Sequence, residues 1–152
     1  MSELRGSGKG RCPALALTAA VLLTACGSPA SEAGESDIRE ALGLAADARV
    51  HRVDLTVTDG RLRMLPLRTR IRAGDAVKLV VLDNRTHLVR FLTDEMDQEI
   101  LAFLTRTDQA RPPPLVEREA RLVLSFQDAP RGRYPFQVEA GGFVALGEIL
   151  VE

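Results

Sequence analysis

Few side chains here can do chemistry. In 152 residues there are two histidines, His51 and His87, and two cysteines, Cys12 and Cys26. Met64 and Met96 add thioethers, and thioether with imidazole is a donor mixture suited to cuprous ion. These four positions show no close spacing, so Met64 reads as a core gap-filler and Met96 as an exposed loop residue. Asp94, Glu95, Asp97 and Glu99 form the densest acidic patch. A hard cation such as calcium wants several carboxylate oxygens, but this patch lacks the glycine-marked loop of a calcium site and reads as a solvated turn. No serine sits in a glycine elbow and no zinc-type spacing occurs. Asp83 lies near His87, yet spacing alone does not make an acid–base pair. The chain is therefore expected not to be an enzyme.

The elements that would position these groups are mostly strands. His51, Val53, Leu55 and Val57 alternate with Arg52, Asp54, Thr56 and Thr58, the pattern of a half-buried strand. Asp59-Gly60 suits a tight hairpin, Arg61 to Met64 begins the return, and Pro66 confines that stretch to an edge. Leu67 to Ile71 is a further short extended piece. Val77 to Leu82 is apolar on both faces, as in a strand covered on two sides. His87, Val89 and Phe91 then line one side of the next strand, which makes His87, like His51, a neutral imidazole at a core margin. Ile100 to Leu104 is too short a run to assign by period. Arg111-Pro112-Pro113-Pro114 is an extended connector. Alternation returns at Leu122, Leu124 and Phe126 and again at Tyr134, Phe136 and Val138. Gly141-Gly142 opens a loop, and Phe143 to Val151 makes a closing strand. Seven or eight short strands separated by turn residues indicate an all-β sandwich.

The N-terminus has a different character. Arg5, Lys9 and Arg11 precede an apolar run from Ala14 to Leu23, which ends in Leu23-Thr24-Ala25-Cys26. The run is shorter than the roughly 18 to 20 residues of a permanent bilayer span, so it reads as a secretory signal that is removed. Leu23-Thr24-Ala25-Cys26 resembles the lipobox of bacterial lipoproteins, which implies cleavage before Cys26 and lipid on its sulfur. Several acyl chains on one cysteine anchor firmly. The expected organisation is a signal peptide over 1–25, a lipidated cysteine and flexible tether over 26–36, a short helix over 37–48 and a sandwich domain over 49–152. Within the helix, Asp37 and Glu40 look like a reciprocal cap, and Ile38, Ala41, Leu42 and Ala45 share one face from Asp37 to Ala46.

Of 20 basic and 21 acidic side chains, removing Arg5, Lys9, Arg11 and Glu3 leaves 17 and 20. A mildly acidic exported body gives no support to nucleic-acid binding, which wants clustered positive charge. With Cys12 removed and Cys26 acylated, the folded part has no thiol and no disulfide. The expected location is the extracytoplasmic face of a membrane, with the lipid anchor and an envelope protein as partners.

Two stretches resemble the cupredoxin family of copper-carrying sandwiches. One is Ile71 to Val81 with Asn84 and His87 after it; the other is Leu122 to Phe126, then Pro130 to Phe136 and Gly147 to Glu152. The resemblance implies a Greek-key β-sandwich and a copper held by a thiolate, two imidazoles and a weak axial thioether. His87 stands where the first imidazole is expected. Val138 takes the apparent cysteine position, Phe143 stands near the second histidine's and Leu146 near the methionine's. All three are hydrocarbons, so the chain is expected to lack a type-1 copper, to carry no cofactor and to be unable to shuttle electrons. What remains is a membrane-tethered binding or accessory module. The alternative is a copper-handling lipoprotein that holds cuprous ion through His87 and other soft groups.

Overall fold

The computed structural model describes residues 29–152, so the stretch over 1–25 expected to be a signal peptide, and Cys26 after it, lie outside the described residues. Helix α1 spans Pro29–Ala41, beginning earlier than Asp37 and ending before Ala46. Proline is favoured in a first helical turn, where its missing N–H costs nothing, and Ala, Glu and Arg propagate the helix. Asp37 and Glu40 are thus interior positions and not a cap. Ile38 and Leu42 are half-buried, so α1 packs lightly on the domain.

Eight strands follow. They are β1 (Val50–Thr58), β2 (Arg61–Leu65), β3 (Arg68–Ile71), β4 (Ala76–Val81), β5 (His87–Phe91), β6 (Arg121–Ser125), β7 (Gly132–Ala140) and β8 (Phe143–Val151). One sheet has the order β2-β1-β4-β6 and the other β3-β8-β7-β5. Each element arises where period-two alternation meets turn chemistry. Asp59 and Gly60, both at positive φ, close the β1–β2 hairpin. Pro66 follows edge strand β2, where no ladder N–H is needed from it, and the chain crosses there to the other sheet. β4 is central and its Ala76, Val77, Leu79, Val80 and Val81 are all buried, as its two apolar faces require.

The inner faces close on a core that includes Val53, Leu55, Met64, Val77, Leu79, Phe91, Phe126, Tyr134, Phe136 and Ile149. Tyr134 is fully buried with its ring edge-on to Phe103 and Phe126, and its hydroxyl donates to the Pro130 carbonyl at 2.7 Å. Burial, with the Glu99 charge adding to it, pushes that phenol up to about 12.

Residues 93–115 span one open side of the sandwich. Thr93–Glu95 forms a short 3-10 turn, and Ile100 to Leu104 lies within helix α2 (Gln98–Arg106). Ile100, Phe103 and Leu104 share its buried face, which is why the run is apolar. Met96, beside it, is half-buried against the core and not an exposed loop residue. Past the helix, Gln109 bridges to edge strand β6. Its amide nitrogen donates to the Ser125 carbonyl at 2.9 Å, and its amide oxygen accepts the Ser125 N–H at 2.8 Å. The connector then reaches edge strand β5, where Leu115 pairs with His87.

Candidate functional site

Strand register decides which residues surround His87. Within the second sheet, His87 lies opposite Ala140 and Ala140 opposite Phe143; the next row is Val89, Val138 and Ala145; the next is Phe91, Phe136 and Gly147. Side chains at directly paired positions share a face, so these nine residues form a three-by-three patch on the inner wall. His87 and Val138 are diagonal neighbours in it, both fully buried. Phe143 is half-buried and completes the His87 row. Leu146 does not belong to the patch. It is on the outer face, 62% exposed, because period-two alternation sends it the opposite way from Ala145 and Gly147. The residue facing Val138 is Ala145, a small hydrocarbon.

The link between β7 and β8 is also shorter than a loop. Ala140 pairs with Phe143, so Gly141 and Gly142 alone make the turn, with φ of 57° and 84°. Positive φ at both central residues is the mark of a type I′ hairpin, and glycine adopts it without a Cβ penalty.

Both histidines bind aspartates. His87 Nε2 donates to Asp83 Oδ1 at 3.0 Å, and Asp83 also accepts the N–H of Arg85 at 2.8 Å and of Val57 at 2.5 Å. His51 Nε2 donates to Asp75 Oδ2 at 2.9 Å, while Asp75 accepts the N–H of Arg49 at 2.9 Å and of Arg72 at 3.0 Å. An ionised carboxylate only accepts hydrogen bonds, so each Nε2 carries its proton. Burial works against ionisation of both aspartates, but the hydrogen bonds they accept outweigh it. For Asp75 these come from Arg49, Arg72 and His51; for Asp83 from His87, Val57 and Arg85; both pKa values fall below the ordinary 3.8. Asp75 immediately precedes β4 and Asp83 closely follows it, so one carboxylate ties β4 to β1 at each end.

This arrangement keeps the two imidazoles apart. His51 is at the start of β1 and Val57, bound to Asp83, is near its end. Six residues of strand span about 20 Å, so His51 and His87 do not converge on one ion. Met64 is buried against Gly147 and Phe136, whose row is two removed from that of His87. Asp94 and Glu95 lie in the 3-10 turn, Asp97 stands at the position just before α2 without a side-chain hydrogen bond to it, and Glu99 is in its first turn. Among the described residues, no group of three or more His, Cys, Asp or Glu side chains is placed to hold a metal. Asp83 lies four positions from His87, a proximity that by itself does not make a pair, and the structure supplies the hydrogen bond; Asp75 lies 24 positions from His51 and gives no local signal.

Comparison with solved structures places this architecture. An oxidised plastocyanin from Dryopteris crassirhizoma is 17% identical, with a TM-score of 0.50 over 66% of this chain and 99% of that chain. A mutant fern plastocyanin matches with the same identity, coverage and TM-score. A purple cupredoxin from Nitrosopumilus maritimus is 15% identical, with a TM-score of 0.44 over 67% of this chain and 99% of that chain. No family model and no curated protein matches the sequence. The plastocyanin superpositions establish the fold: the domain is a cupredoxin-like β-sandwich of eight strands.

Whether copper suits this fold's inner wall is a question of donors. His87 Nδ1 is buried and has no hydrogen-bond partner, which leaves one nitrogen lone pair available. Ala140 pairs with His87 in the sheet, and Phe143, Val138 and Ala145 belong to the same patch; none of these four side chains offers sulfur or nitrogen. A single imidazole does not fit the thiolate-and-two-imidazole set of a type-1 centre.

Proposed function

We propose that this chain is an exported lipoprotein, anchored through Cys26 at the extracytoplasmic face of a membrane, whose cupredoxin-like domain works without copper as a non-catalytic binding or accessory module. The observation that carries the reading is the hydrocarbon patch formed by Val138, Ala140, Phe143 and Ala145 beside His87. The anchor rests on Leu23-Thr24-Ala25-Cys26 after a basic and apolar leader. Among the described residues no helix is long and apolar enough to cross a membrane. The test of the anchor is fractionation of cells expressing the wild type and Cys26→Ser, with mass spectrometry of the N-terminal peptide. The wild type should sediment with membranes and carry acyl mass on Cys26, and the variant should not. An unmodified cysteine in the membrane-bound wild type contradicts the anchor.

One observation favours a second reading. The unpartnered Nδ1 of His87 is a borderline donor in an apolar setting, and such a nitrogen accepts cuprous ion. Competition against a cuprous chelator decides it. A measurable affinity that His87→Ala abolishes supports copper handling; equal or absent affinity in both proteins removes it.

A further inference from the structure

The open side of the sandwich treats its two edge strands differently. β6 is capped, because Gln109 supplies both a donor and an acceptor to Ser125. β5 is not. The bond from Leu92 N to Pro135 O fixes the alternation, so Leu88 and Arg90 turn their N–H and C=O groups toward β7. His87, Val89 and Phe91 turn theirs outward, as the mutual bonds of His87 and Leu115 show. Beyond that bridge the main-chain groups of Val89 and Phe91 have no partner among the described residues, although the two residues are only 3% and 7% exposed. Unpaired peptide groups so nearly buried are costly unless water or a ligand meets them.

They line a groove of about 750 Å³ between β5 and residues 101–112. The chain's own connector enters this groove at Leu115 as an antiparallel partner and stops there. The residue that would continue the ladder opposite Val89 is Pro113, which has no N–H to give. Sequence thus holds the second half of the edge open. Arg90 and Arg111 stand exposed on the groove walls, and neither has an ion-pair partner among the described residues. Asp108 is the one acidic group lining it.

We infer that this groove is a strand-addition site for an extended acidic segment of a partner protein. The segment's peptide groups pair with Val89 and Phe91, and its carboxylates meet Arg90 and Arg111. Main-chain pairing supplies the attachment and the two guanidiniums select for charge. The inference rests on the binding-module reading and names the kind of partner that module takes.

The test uses the full chain in detergent and the blocked hexapeptide acetyl-Val-Glu-Val-Glu-Val-Glu-amide at millimolar concentration, followed by amide hydrogen exchange and NMR shifts. Exchange at Val89 and Phe91 should slow at least several-fold, while Leu88 and Arg90, already bonded to β7, should change little. The lysine analogue of the peptide and an Arg90→Glu/Arg111→Glu variant should each weaken binding by about tenfold. Alternate N-methylation of the peptide should abolish it. Unchanged exchange at Val89 and Phe91, or equal binding of the N-methylated peptide, overturns the proposal. Either failure leaves the copper-less reading standing, since that reading is judged by metal and not by peptide.

Discussion

Asp75 and Asp83 organise more of this molecule than their type suggests. Each replaces ladder hydrogen bonds where β4 begins or ends, accepting from main-chain N–H groups on a neighbouring segment and from an imidazole. An asparagine at either position offers one acceptor oxygen where the carboxylate offers two, so at least one donor loses its partner. Asp75→Asn and Asp83→Asn should each cost about 1–3 kcal/mol, measured by denaturant unfolding with unchanged m-value. At Asp83 the donors sharing that loss are two main-chain N–H groups and a fully buried imidazole whose other nitrogen has no partner. Because both carboxyls are held below 3.8 in the folded state, the stability they contribute is fully present above that value. It should drain away as pH falls through their lowered folded values, and the pH dependence in that acid window should shrink in each variant. If the variants unfold in acid with the wild-type profile, the carboxylates do not carry this role.

At the scale of elements, Gly147 and Gln109 make the sharpest claims. A Cβ on Gly147 of β8 would come within 2.6 Å of Met64 Cε and 2.8 Å of Phe136 Cζ, so the two sheets meet there through a missing side chain. Gly147→Ala should destabilise by about 1–3 kcal/mol, and combining it with Met64→Ala should cost less than the sum of the two. Strict additivity in thermal unfolding would show that this contact is not what matters. Gln109→Ala should cost about 1–2 kcal/mol by freeing both main-chain groups of Ser125, and hydrogen exchange at Ser125 should rise with it. Exchange at Ser125 as slow as in the wild type would contradict the cap.

Period-two alternation made most strands legible in the sequence, β4 above all, since an apolar run on both faces has few other uses. Two elements were not. Ile100 to Leu104 shows one helical turn of apolar residues, and only the core it docks against reveals α2. The start of α1 hid because Pro29 and the Ala, Glu and Ser residues after it have the composition of a linker as well as of a helix. The inward facing of His87 and Val138 was legible, because both lie on strands whose alternation is clear. The outward facing of Leu146 was not, because the short Gly141-Gly142 turn sets the register and a shift of one residue reverses the face. The edge groove was invisible, because it depends on which peptide groups point outward.

For the whole molecule, the fold and the chemistry part company. The sandwich matches the architecture of plastocyanins, while the inner wall beside His87 is built from alkyl and phenyl groups. Hydrocarbons packed at that end of the core stabilise by burial, and they leave one imidazole nitrogen as the only donor among them. A ligand that binds only the folded state raises its stability in proportion to occupancy, so metal binding and thermal stability can be read together. The most direct measurement is the visible spectrum and thermal midpoint of the purified protein with one equivalent of cupric ion. The expected result is no intense charge-transfer band and no rise in the midpoint. A strong visible band with one copper per chain and a raised midpoint would contradict the account.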